Sequence, residues 1–201
     1  MNKSRMEAFS DGVFAIAITI LIFELKIPIV APDKILQASM NQFPKLLAFI
    51  LSFIIIGMYW VAHHSMLHPI KKIDRTALWL NLFNLMFICF LPYPTGMLGE
   101  YPFNQFVICL YAVSLSFVNI TGTIFWLYCS ALKENSKEIS KNARRVVVII
   151  HLSPIFLYGL SIVFTFISML VSYAIIAAVP LFFIFSNRLI MRLFENSNDN
   201  E

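Results

Sequence analysis

The stretch Arg5-Met6-Glu7-Ala8-Phe9-Ser10-Asp11-Gly12 runs without a break into VFAIAITILIFEL, residues 13–25. It places a permanent cation and a carboxylate at the head of a strongly apolar helix. The uncharged part extends only from Gly12 to Phe23, between Asp11 and Glu24. A helix facing lipid needs about 20 apolar residues to cross a bilayer, and a run of about 10–14 reads as buried. This segment is therefore expected to cross a membrane surrounded by protein or water. Ionisable groups at that depth are functional candidates by default.

The rest of the chain has the same character. Its 201 residues are 59% hydrophobic and 13% charged, with a mean hydropathy of +0.78. Soluble domains carry about 25% charged residues. The fold class that follows is an all-α integral membrane protein, one transmembrane domain over residues 1–201. The net charge of +4 implies no nucleic-acid partner, because the basic residues sit between apolar runs and encode topology. Cys89, Cys109 and Cys129 lie inside apolar segments and read as packing residues, not as a disulfide framework. A cleaved secretory leader is disfavoured, since Glu7 and Asp11 stand where a basic n-region belongs.

Polar punctuation divides the chain into six helices, over about 4–26, 44–68, 75–98, 103–132, 142–167 and 170–192. Pro28 and Pro32 end the first by fixing φ and removing donors. Pro44 suits the first turn of the second. Pro92 and Pro94 kink or end the third. From Val146 to Asn187 there is no charge in 42 positions. One helix of that length would span about 60 Å, twice the hydrocarbon core, so it must fold back near Ile167–Ser172. Loop charges set the orientation. With the N-terminus cytoplasmic, Lys3, Arg5, Lys71, Lys72, Arg75, Lys133, Lys137, Lys141, Arg144, Arg145, Arg188 and Arg192 fall inside. Only Lys26, Lys34 and Lys45 fall outside, which places both termini in the cytoplasm. No internal repeat is visible, which disfavours an inverted-repeat transporter within one chain.

Within the first helix, Ile16, Ile20 and Phe23 recur at i, i+4, i+7 and form one stripe, with Thr19 beside it. Phe9 and Gly12 or Val13 continue it backwards. Around an axis, copies of this helix would stack rings of bulky apolar groups, which can gate a channel by steric block and dewetting. Periodicity alone equally allows an ordinary packing stripe. Arg5 and Asp11 need partners on other helices, because an unpaired buried charge is costly. The candidates are Trp60, His63 and His64, with Asn81 and Asn84. Two roles remain open for this set: a structural network tying the helices together, or a proton relay through Asp11 and His63 or His64. His64 and His68 have the i, i+4 spacing of a metal pair, but no further ligands accompany them. Glu24 at the outer end of the first helix either attracts cations or is merely solvated. Asn104, Ser116, Asn119 and Thr121 are expected to bond between helices. A TVGYG segment, a phosphate loop and the G-x-S-x-G and H-E-x-x-H motifs are all absent, and so is a polar inventory fit for hydrolysis.

RMEAFSDGVFAIAITILIFELKIP resembles the first-helix motif of the bacterial relatives of the lysosomal potassium channel, the transmembrane-175 type. That family's R-x-x-x-F-S-D is met by Arg5, Phe9, Ser10 and Asp11. The resemblance implies a homotetramer in which four six-helix chains surround one pore lined by the first helix. Ile16, Ile20 and Phe23 would form its constriction rings, Thr19 a polar ring, and Glu24 its outer mouth. Arg5, Phe9, Ser10 and Asp11 would face away and join Trp60, His63, His64, Asn81 and Asn84 in the helix network. Phe23 stands where the family commonly has Leu, a larger ring that bears on conductance. The implied activity is passive, potassium-preferring conduction of monovalent cations across a bacterial inner membrane, with no cofactor, no metal and no enzymatic step. A proton-coupled transporter or proton channel using Asp11 and His63 or His64 is the alternative.

Overall fold

Local sequence signals decide where each helix begins and ends. In the computed structural model, which describes residues 3–137 and 139–198 and side chains as far as Phe183, eight α-helices follow one another. They are α1 (Lys3–Ile20), α2 (Ile35–Met40), α3 (Phe43–Leu67), α4 (Arg75–Phe90), α5 (Pro92–Glu100), α6 (Gln105–Ala131), α7 (Lys141–Phe164) and α8 (Met169–Asn198). Arg188 and Arg192, counted above on the cytoplasmic side, lie outside the residues whose side chains are described.

Three of the starts are capped by side chains that accept an otherwise unpaired N–H of the first turn. Asp74 accepts from Ala77 at 2.8 Å, Asn104 from Val107 at 3.3 Å, and Ser140 from Ala143 at 3.1 Å. Asn104 thus caps its own helix instead of bonding to another, because it stands one residue outside α6. α1 tightens into a 3-10 turn over Leu21–Glu24 before the chain turns extended towards Pro32. The six-residue α2 buries no side chain and has no apolar period that would announce it. α4 and α5 form one span of 26 residues, Arg75–Glu100, divided at Leu91. Leu91 keeps helical dihedrals and accepts from Thr95 N, so Pro92 and Pro94 interrupt the hydrogen-bond ladder without turning the chain.

Pro154 lies inside α7, where it cannot donate to the carbonyl four residues back. The Ser153 hydroxyl donates to that carbonyl, Ile150 O, at 3.0 Å. The chain reverses at Thr165–Ser168. This turn is tied down by Gln105 Nε2 donating to Thr165 Oγ1 at 3.1 Å and Ser172 Oγ donating to Ser161 O at 2.8 Å.

The spans are not equally covered. α6 has 61% of its apolar window buried, whereas the α1 span has 28%, the least of the five long spans. α6 therefore sits at the centre, packed against α4, α5, α7 and α8. Tyr111, Phe125 and Trp126 on α6, Tyr158 on α7 and Phe14 on α1 are among the largest wholly buried side chains. α3 and α5 meet closely: a Cβ at Gly99 would lie 2.9 Å from the Lys45 Cα. Beside this crossing Lys45 pairs with Glu100.

At the opposite end, the loops after α3 and α6 are joined by Asn135, which is wholly buried. Its oxygen accepts from Lys71 N and Lys72 N, each at 3.0 Å, and its amide donates to Lys72 O and Cys129 O, each at 2.8 Å. Lys72 also pairs with Glu134 at 2.7 Å, an exposed contact of small value.

Replacing Asn135 takes the partner from four backbone groups together, of which the bond to Cys129 O is buried and the three to Lys71 and Lys72 are part-buried. Asn135→Ala is expected to cost about 2–4 kcal/mol, read as a lowered midpoint of thermal unfolding in detergent. The Asp74 carboxyl is held below the usual carboxylate range, chiefly by the Tyr128 hydroxyl that donates to it at 2.6 Å and then by Ala77 N–H. A lowered value means the cap stabilises above the unfolded-state range and is lost as pH falls through the folded one. Asp74→Ala is expected to cost about 1 kcal/mol near neutrality. In unfolding scans at successively lower pH, the penalty should shrink.

Candidate functional site

The 3.6-residue period gives α1 two unlike faces. Met6, Ser10, Phe14, Ala17 and, in the following turn, Leu21 are buried against the rest of the chain. On the other side Phe9, Ile16, Ile20 and Phe23 are 55, 59, 42 and 75% exposed. Gly12 and Thr19 are exposed among them. The apolar stripe read from the sequence is thus the face that α1 does not pack within its own chain.

The inward face is held by hydrogen bonds. Ser10 is 1% exposed and donates to Met6 O at 2.9 Å. It accepts from Asn81 Nδ2 at 3.0 Å. With that amide donating to Ser10, the Asn81 oxygen is an acceptor facing His63 Nε2 at 2.8 Å. The geometry therefore assigns the proton to His63 Nε2, and the chain of donors runs His63 to Asn81 to Ser10 to Met6 O. The His63 ring is clamped between Phe14 and Phe125, with centroids 5.5 and 5.9 Å away, and lies nearly parallel to Phe125 at 8°. One polar chain so joins α1, α3 and α4, and an aromatic stack carries it to α6.

Asp11 is anchored separately. Its Oδ1 accepts the Trp60 indole N–H at 2.8 Å, a donor that has no other role. His64 lies beside Trp60, with ring centroids 6.4 Å apart. Neither histidine pairs with the Asp11 carboxylate among the described hydrogen bonds. Asn84 binds α6 and not α1: its amide donates to Val118 O and Thr121 Oγ1, each at 2.9 Å. Asn119 donates to Tyr59 OH at 2.7 Å, while Ser116 turns back to its own helix at Ala112 O. Asn119 and Thr121 therefore do bond between helices, and Ser116 and Asn104 do not.

Two residues that the resemblance assigns to the network lie elsewhere, Phe9 where the helical period alone puts it. Arg5 and Phe9 do not face away from the apolar stripe. Both are exposed, and steps of 4 and 7 residues carry Arg5 to Phe9 and Phe9 to Ile16 along one face. Within the motif only Ser10 is buried, Asp11 is lateral, and Arg5 and Phe9 head the stripe.

Thr19 Oγ1 donates to Ile16 O at 2.9 Å. Its proton is spent on its own helix, while its lone pairs stay available to a cation. Glu24 is half-buried, and a Cβ at Gly96 would overlap its carboxylate. The bare backbone of α5 thus makes room for this acid. Among the described residues no group of three or more His, Cys, Asp and Glu could hold a metal ion, and His64 and His68 belong to no such set.

Residues 5–92 match the family described as the endosomal/lysosomal potassium channel TMEM175. A potassium channel of Streptomyces collinus is 47% identical over 103 residues, which are 50% of this chain and 50% of that protein. One of a Chryseobacterium species is 40% identical over 124 residues, 62% of this chain and 63% of that protein. The chain thus spans between half and two thirds of the length of these curated relatives. The crystal structure of a lysosomal potassium-selective channel TMEM175 homologue from Chamaesiphon minutus superposes with a TM-score of 0.77 at 27% identity. It covers 92% of this chain and 97% of that one. The likeness is to multi-pass, all-helical ion-channel proteins and not to enzymes.

Asn81 is the node on which three helices depend. Asn81→Leu removes both of its bonds and leaves His63 Nε2–H unpaired in an apolar stack, at an expected cost of about 2–3 kcal/mol. Trp60→Phe, at the half-exposed anchor, is expected to cost under about 1 kcal/mol. Thermal unfolding of the two variants in one detergent checks the order.

Proposed function

We propose that this chain, whose residues 5–92 match the TMEM175 family, belongs to that family and is a potassium channel formed by four copies, with α1 of each lining a common axis. Ile16, Ile20 and Phe23 form stacked apolar rings, and Thr19 offers hydroxyl oxygens between turns. Glu24, held against Gly96, gives the outer mouth a negative charge. Both termini face the cytoplasm of a bacterial cell, and the protein resides in its inner membrane. Potassium, with other monovalent cations, passes down its gradient, and no cofactor takes part.

One observation carries this reading. The least covered of the five long spans presents its bulky apolar stripe outward, yet buried hydrogen bonds fix its rotation from behind. A helix meant only for lipid needs no such fixed azimuth. A helix whose side chains must meet their copies at an axis does, because rings form only if every copy presents the same residues. The cavity between α1, α3, α4, α6 and α7 holds about 20 Å³, room for a water and no path for an ion, and this reading places the passage between chains. The proton-relay alternative needs Asp11 beside a histidine; the hydrogen bonds instead pair Asp11 with Trp60 and His63 with Asn81.

The test is ion flux from liposomes. Wild-type protein is expected to pass potassium faster than sodium, and Ile16→Asn to raise the leak several-fold by wetting a ring. Equal flux from both proteins would remove α1 from the pore. Asp11→Asn keeps an acceptor for the Trp60 indole, so assembly and potassium flux are expected to persist. Loss of flux with assembly intact would favour the relay. Cross-linking that stops at dimers would sink the tetramer.

A further inference from the structure

The interior cavity carries an inference independent of conduction. It lies between α1, α3, α4, α6 and α7, and Tyr59, His63, Asn84, Asn119 and His151 supply its polar lining, with the Tyr59 hydroxyl already placed on Leu115 O and Tyr158. His151 is 5% exposed, and its Nδ1 is bonded to Val147 O at 2.8 Å. A carbonyl only accepts, so Nδ1 carries the proton and Nε2 presents a lone pair. That Nε2 is buried and no protein group among the described residues bonds to it. The nearby amides cannot serve it. Asn84 spends its Nδ2 on Val118 O and Thr121 Oγ1, and Asn119 spends its Nδ2 on Tyr59 OH and Leu115 O. His63 Nε2–H is spent on Asn81. The lining thus holds acceptors in excess: the His151 nitrogen and the two amide oxygens, for which no hydrogen bond is described.

A ligand that fits must donate at least two hydrogen bonds, be neutral, and be very small. The lining contains no carboxylate to balance a cation. A volume of about 20 Å³ exceeds the roughly 10–15 Å³ that one water needs. Buried acceptors without partners are costly, and a bridging water is the usual remedy.

We propose that this cavity is a binding site for one structural water, which donates one hydrogen to His151 Nε2 and the other to the amide oxygen of Asn84 or Asn119. The water joins α7 to α4 or α6, directly behind Phe14 on the buried face of α1. It extends the hydrogen-bonded framework around α1 to a helix that α1 does not itself bond.

Two measurements test it on the intact protein. A density map at a resolution that shows ordered water should contain a peak about 2.7–3.2 Å from His151 Nε2 and within the same reach of an Asn84 or Asn119 oxygen. A clean map without that peak overturns the proposal. The second is a double-mutant cycle. A Cβ at Gly122 would lie 3.4 Å from Asn84 Nδ2 and 4.0 Å from Met66 Cε, so Gly122→Ala takes room from the cavity at ordinary contact distance. Expelling the water should lower the unfolding midpoint while His151 is present to lose its donor. In the His151→Phe background, which keeps a ring against Phe183, the same change should leave the midpoint unchanged or raise it. Equal shifts in both backgrounds mean that no water is lost at His151, and also overturn the proposal.

Discussion

The hydrogen bond between Asn81 and Ser10 is the constraint on which the arrangement of α1 depends. In the apolar interior of a membrane protein a side-chain amide must find partners within the chain, since unmet polar groups there are costly. Asn81 finds Ser10 on one side and His63 on the other. Meeting both at once sets the rotation of α1 about its own axis. With Ser10 turned inward, the 3.6 period must turn Phe9, Ile16, Ile20 and Phe23 outward. The exposed stripe and the buried node are two consequences of one azimuth.

This explains the division of labour within the motif. Ser10 is small enough to sit inside the packing and can both donate and accept, so it links Met6 O to Asn81. Asp11, one residue on and about 100° round the helix, reaches the edge of the bundle, where Trp60 meets it. A carboxylate there is stabilised by one N–H and is not desolvated as a core charge would be. Around this unit the chain repeats the same economy of a few polar bonds between apolar helices: Asn84 to α6, Asn119 to Tyr59 and Ser52 to Tyr111. Bonds between membrane helices average under about 1 kcal/mol each, so the fold is held by their number and by the packing around them.

Much of the candidate site could be read from the chain directly. The stripe of Ile16, Ile20 and Phe23 is a periodic signal, and the demand that Asp11 be paired follows from the cost of a lone charge. Trp60, His63 and Asn81 were accessible as polar interruptions of apolar runs. Less accessible was which of them pairs with which, because several assignments satisfy the same donor and acceptor counts. Asn135 escaped entirely. It lies in a polar loop where asparagine is ordinary, and three of its four backbone partners belong to a loop more than 60 residues away. His151 likewise reads as one histidine in an apolar helix until Phe183 and the cavity wall are placed against it.

By itself the sequence determined what scales with composition and period: a membrane protein, helices of spanning length, their proline breaks, and a first helix with a bulky apolar stripe. These are local properties, decided by residues within a few turns of one another. Only the tertiary structure decided that the stripe is the face α1 leaves uncovered, that Glu24 lies against Gly96, and that Asp11 takes Trp60 instead of a histidine. Each depends on the relative rotation of helices distant in sequence. That rotation is set by the sum of many weak contacts, and a period read along one helix carries no record of its neighbour.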